Sequence, residues 1–151
     1  MRWLQNHPQF LELNYRIVFR ILGLFNRWLV PGGFTEQIFA RIELITKGPI
    51  FDCRMCGQCV LHDTGMTCPM TCPKNIRNGP CGGVLLNGNC EIIPENPCIW
   101  VQAWERSAQM AHFSEDIQQI RPPLNNQLQG TSARINDLNL DIPLRPKGWD
   151  A

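Results

Sequence analysis

Eight cysteines, at positions 53, 56, 59, 68, 72, 81, 90 and 98, fall in one window that reads CRMCGQC, CPMTCPK, RNGPCGG, NGNCE and NPC; none falls outside it. Cys53-x-x-Cys56-x-x-Cys59 puts three thiols within one short loop. A cubane iron–sulfur cluster needs four thiolates converging on neighbouring irons, so this loop supplies three and a later cysteine must supply the fourth. Cys68-Pro69 and Cys72-Pro73 follow the ferredoxin habit of a ligand before proline, which turns the chain away and removes a backbone donor. Eight thiolates match the need of two [4Fe-4S] clusters. Two Cys₄ zinc sites would also use eight, but zinc sites usually pair two Cys-x₂₋₄-Cys knuckles per ion, and here a third ligand is crowded in. Iron–sulfur is therefore the first reading, zinc the rival, and a disulfide framework the third.

Other residues in the window bear on that chemistry. Glycines flank Cys81, so backbone N–H groups can point at its sulfur and tune a bound cluster. Lys74 and Arg77 are candidates to offset cluster charge or to meet an anionic cofactor; solvated surface charges are the equal alternative. His62 lies between the thiols, and with a full set of cysteines it is read as a non-ligand. The sequence has no G-x-G-x-x-G, P-loop, G-x-S-x-G or H-E-x-x-H. These absences argue against catalysis by this chain alone and for electron relay or structural support of another protein.

The elements that must position the thiols are few. With 44% apolar and 18% charged residues in 151, the composition is that of one globular core. Residues 1 to 12 read as an irregular lead-in. Leu13 to Val30 has a helical period, with Arg16, Arg20 and Arg27 on one stripe and Ile17, Val18, Ile21, Leu22, Leu24, Phe25, Trp28 and Leu29 opposite. That wide apolar arc can sit in the protein's own core, dock on a partner, or lie on a membrane surface; the last is the least favoured. The interrupting arginines exclude a signal peptide or a spanning helix here, which places the chain in the cytoplasm, where cysteine clusters more often mean metal than disulfides.

A second helix is expected from Thr35 to Lys47, stopped by Gly48-Pro49, with Ile38, Phe39, Ile42 and Ile45 facing a core beneath the cysteine region. Glycines and prolines through the window predict loops, which bury too little to fix themselves without cross-links. IWVQAWERSAQMAH predicts a short helix with Trp100, Ala103, Trp104, Ala108 and Ala111 on one face. From Ile117 to Ala151 the proline-broken, polar sequence reads as an extended arm wrapping a neighbour. The expected fold is thus a small α plus irregular metal-stabilised domain: N-terminal helices (1–47), a cysteine-rich metal-binding region (48–116) and an extended C-terminal arm (117–151). No basic run suggests nucleic acid.

The run from Cys53 through NGNCEI, followed by CIWVQAWER and PPLNNQLQGTSARIN, resembles the methylenetetrahydrofolate reductase C-terminal domain family, the MetV-like proteins, from about Gly48 to Asp141. NGPCGG and CPMTCPK are its most distinctive elements. The resemblance implies an accessory subunit beside a flavin-containing TIM-barrel catalytic chain that reduces 5,10-methylenetetrahydrofolate. It implies metal at the eight cysteines, iron–sulfur by family expectation, with zinc also associated. The flavin and folate sites would then lie on a separate chain. Iron–sulfur relay to that flavin is the expected function, and a zinc-stabilised assembly role without redox chemistry is the alternative.

Overall fold

The computed structural model describes residues 2–25 and 28–139. The expected arm beyond residue 139 lies outside the described residues. A 3₁₀ stretch, Arg2–Asn6, leads into α1, Pro8–Leu24. The lead-in is therefore ordered and the helix begins earlier than its apolar period predicts, because Pro8 sits at the first helical position, where its fixed φ helps and its missing N–H costs nothing. The helix also closes earlier than Val30, with the Phe25 N–H bonded back to the Leu22 carbonyl at 3.0 Å.

Helix α2, Phe34–Phe51, runs straight through Gly48-Pro49 instead of stopping there. Proline removes one intrahelical donor, but the residue before it is glycine, which has no Cβ for the proline ring to crowd. The helix ends at Asp52 in the left-handed conformation (φ 53°), its N–H bonded to the Gly48 carbonyl at 2.8 Å.

Both helices turn the unexpected face inward. On α2 the buried residues are Glu36, Glu43, Lys47 and Phe51. Ile38, Ile42 and Ile45, expected in the core, are exposed, Ile45 at 72%. On α1 the side facing the protein carries Pro8 and Glu12, both buried, with Tyr15 and Leu22 half-buried. Ile17, Ile21, Leu24 and Phe25 point to solvent. The polar inward residues are each satisfied: Glu12 accepts the backbone N–H groups of Ala111, His112 and Phe113 at 2.7–3.0 Å. No described helix is long and apolar enough to cross a membrane.

The small core is Phe51, Leu61, Met66 and Met110, with Leu11, Tyr15, Ile50, Phe113, Cys59 and Cys68 packed against it. Tyr15 stacks on His62, ring centroids 5.2 Å apart, and meets Phe113 edge-on, which ties α1 to the cysteine region. As expected, that region is loops. It has one 3₁₀ turn, Pro69–Thr71, and two isolated antiparallel bridges, Val84 with Cys90 and Asn89 with Pro97.

Helix α3, Ile99–Ser107, buries Trp100 and Ala103 as predicted, but it ends before Ala108, and Trp104 is exposed. The segment after it is not an extended arm reaching for a neighbour, as far as the described residues go. It makes two 3₁₀ turns, Asp116–Gln118 and Asn126–Leu128, and a short helix α4, Ala133–Asn139. Ile135 and Asn136 of α4 are fully buried in the chain's own interior. Buried apolar surface and a supply of Asn and Gln side chains that satisfy loop backbone drive this return.

Candidate metal centre

The eight cysteines separate into two sets. Cys53, Cys56, Cys59 and Cys68 line one cavity of about 20 Å³ together with Glu43 and Lys47 of α2. Cys72, Cys81, Cys90 and Cys98 line a second, of about 580 Å³, with Trp3, Arg54, Lys74 and Trp100 among its other walls. Cys68 borders both. All eight are free thiols.

The first set is fixed by backbone on every side. Met55 and Gly57 take left-handed conformations (φ 49° and 73°), which curl the loop that carries the three cysteines along one cavity. Gly57 is obligatory for a second reason: a Cβ there would stand 2.1 Å from the Leu128 carbonyl oxygen. The returning C-terminal segment clamps the loop through bonds from Gly130 N–H to the Met55 carbonyl (2.8 Å), Asn136 Nδ2 to the Gly57 carbonyl (2.9 Å) and Gln129 Nε2 to the Arg54 carbonyl (2.7 Å). The Met55 N–H reaches Cys53 Sγ at 3.4 Å, and the N–H groups of Leu61 and Met70 serve Cys59 and Cys68.

The second set is held by less. Cys72 follows the 3₁₀ turn, and the Cys90 and Cys98 N–H groups bond to the Asn96 and Gly88 carbonyls at 2.9 and 3.0 Å. Cys98 also opens α3, its carbonyl accepting from Gln102 N–H. Cys81 is exposed, with the Gly83 N–H 3.4 Å from its sulfur.

Burial raises three thiols here: Cys59 to about 11, Cys68 to about 12, and Cys53 upward too. Their neighbours add to it, since Cys68 feels Cys59, Cys53 and Cys56 together. Such a cluster needs a cation to hold it as thiolates. Among the described residues, no three His, Cys, Asp or Glu side chains close to single-ion geometry. All-thiolate donors with backbone N–H groups aimed at sulfur fit an iron–sulfur cluster or zinc by their chemistry.

The two candidate cations from the sequence part company. Lys74 lies beside Cys81 and pairs with Glu91, at the second set. Arg77 borders the first cavity, where its Nη2 donates to the Gln58 carbonyl at 2.9 Å. His62 stands with Nε2 3.1 Å from Asp63 Oδ1, and burial and then the Arg121 charge push it down to about 4. The sequence reading missed Lys47 and Glu43, which bound the first cavity. Their signal was available: a Glu and a Lys at i, i+4 on the helix that runs into the Cys53 loop.

A family model described as "Methylene-tetrahydrofolate reductase C terminal" matches residues 34–127. The match takes in α2, both cysteine sets and α3, and leaves α1 and α4 outside it. No curated protein and no solved structure matches the chain. Spanning more than half of the sequence and every thiol described above, the match shows that this chain belongs to the methylene-tetrahydrofolate reductase C-terminal family.

Proposed function

We propose that the chain is a metal-carrying accessory subunit of a methylenetetrahydrofolate reductase-type enzyme, relaying electrons to or from a flavin held on a separate catalytic chain. The observation that carries this reading is the division of eight free thiols into two adjacent sets of four, with Cys68 bordering both cavities. Two neighbouring metal centres are the arrangement that a short electron path requires. The second cavity has room for a four-iron cubane among Cys72, Cys81, Cys90 and Cys98. Bound there, such a cluster would supply one-electron redox chemistry, while Gly83 N–H and Lys74 would stabilise its negative charge.

The outward apolar faces of α1 and α2 are the surfaces that would meet the catalytic chain. Ile17, Ile21 and Leu24 on one and Phe34, Ile38 and Ile45 on the other are exposed. Apolar surface of that extent on two helices belongs at an interface.

One observation favours a different guest at the first set. About 20 Å³ is the space of roughly one water molecule. In a space that small a single ion is the smaller guest, whereas a cubane would need the clamped 53–59 loop to open. A zinc ion at Cys53, Cys56, Cys59 and Cys68, structural and redox-silent, with a cluster at the second set, is the second reading.

Anaerobic purification followed by iron, sulfide and zinc analysis with a visible spectrum tests both. About eight iron and eight sulfide per chain support two clusters; about four of each with one zinc support the mixed reading. A colourless protein with zinc alone overturns the relay and leaves an assembly role.

A further inference from the structure

Lysine is seldom buried unless it is paired, and Lys47 is buried with its side chain 7% exposed. Its Nζ lies 2.9 Å from Glu43 Oε2. Glu43 is held in turn from the far side of the fold: its Oε1 accepts from Ser132 Oγ at 2.9 Å and from Arg134 N–H at 3.1 Å. A pair joining two helix turns for stability alone would sit at the surface, since desolvating both charges offsets most of their attraction. Here the pair instead forms a wall of the cavity that Cys53, Cys56, Cys59 and Cys68 line.

We propose that Lys47 is the fixed counter-charge of the first thiol set, positioned by the Glu43–Ser132 network, and that it stabilises the anionic centre those four cysteines would form with a metal. The inference rests on the reading of that set as a metal site. Four thiolates around a divalent ion carry a net charge of −2, and a cluster with four thiolates is also anionic. A buried ammonium on the cavity wall stabilises either one without being a ligand. Glu43 is a positioning group: its Oε2 holds the Lys47 ammonium while Ser132 and Arg134 hold its Oε1.

That arrangement gives a test that separates charge from packing. The full chain, stripped of metal under reducing conditions, is titrated with Co²⁺ against a competing chelator, and the sulfur-to-cobalt absorption reports each class of thiolate site. Lys47→Met should weaken one class roughly tenfold or more and leave the other unchanged, as expected for one unit charge lost at short range in a poorly screened site. Lys47→Arg, which keeps the charge, should retain most of the affinity. If Lys47→Met and Lys47→Arg weaken binding equally, Lys47 only packs and the proposal is overturned. Wild-type protein that gives no cobalt–thiolate absorption refutes the metal-site reading itself, which separates that failure from this one. Circular dichroism of each metal-free variant shows whether a loss of affinity reflects loss of fold.

Discussion

The two thiol sets are built to different standards. The first is enclosed by α2, by the core residues that touch Cys59 and Cys68, and by a C-terminal segment that returns to bond the loop backbone at Arg54, Met55 and Gly57. The second hangs on a 3₁₀ turn, two isolated bridges and the residue that caps the start of α3, with Cys81 in solvent. The comparison teaches where constraint comes from. At the first set the fold fixes the thiols before any guest arrives. At the second the loops bury too little to fix themselves, and a bound group would supply the missing order.

Two glycines in left-handed conformation sharpen the contrast. Gly57→Ala adds a methyl 2.1 Å from the Leu128 carbonyl at φ 73°. Strain and overpacking together should cost about 2–5 kcal/mol. Gly82→Ala, at φ 78° with nothing within 4 Å, should cost about 1–2 kcal/mol from conformation alone. Urea unfolding of the two metal-free variants measures the difference. Equal losses would mean that the C-terminal clamp does not hold the first loop, and the distinction between the sets would collapse.

How much of this was legible in the sequence follows the same division. The second set was readable because glycine and proline density predicts loops, and loops are what Asn78 to Cys98 form. Trp100 and Ala103 were readable from the period of α3. The first set's surroundings were not. A 3/4 apolar spacing on α2 predicts which residues share a face but not that the face is outward, and the burial of Glu43 and Lys47 depends on Ser132 and Arg134, far along the chain. Gly48-Pro49 reads as a stop because the penalty for proline is known, while the lack of a Cβ before it, which softens the clash, carries no weight in a pattern. The returning segment is polar and broken by prolines, so its sequence resembles a free arm. Its Asn and Gln residues instead satisfy the backbone of a loop some 70 or more residues earlier, as with Gln129 on Arg54 and Asn136 on Gly57.

Acid acts on the fold through two buried groups of opposite sign, His62 and Asp137. Stacked on Tyr15 and neutral, His62 has a folded value of about 4 against 6.5 for the free side chain. A depressed value favours the folded state above 6.5, and that contribution is lost as pH falls from 6.5 through 4. The full difference is about 3 kcal/mol. Asp137, raised from 3.8 to about 7 mainly by burial, has the opposite sign: its contribution is full below 3.8 and is lost as pH rises from there through 7, so on acidification from pH 7 to 4 it offsets what His62 loses. Unfolding free energies at pH 7 and pH 4 for wild type and His62→Gln isolate the histidine, and the variant should lose less stability on acidification by about that amount. An unchanged pH dependence would remove His62 from the account.

The smallest effect expected is the one that compares the two lysines directly. Lys74 stands beside Cys81 as Lys47 stands beside Cys59, but it is at the surface and paired with Glu91. Water and salt screen a surface charge, and Glu91 already opposes it, so Lys74→Gln should change the affinity of the second class of cobalt site less than about threefold, with the difference fading as salt is raised. Lys47→Met should keep its effect at the same ionic strength, since a buried charge is screened far less. Salt is therefore the variable that distinguishes them: if both substitutions respond to it alike, the first set is as open to solvent as the second, and the enclosure by α2 and the C-terminal segment has no electrostatic consequence.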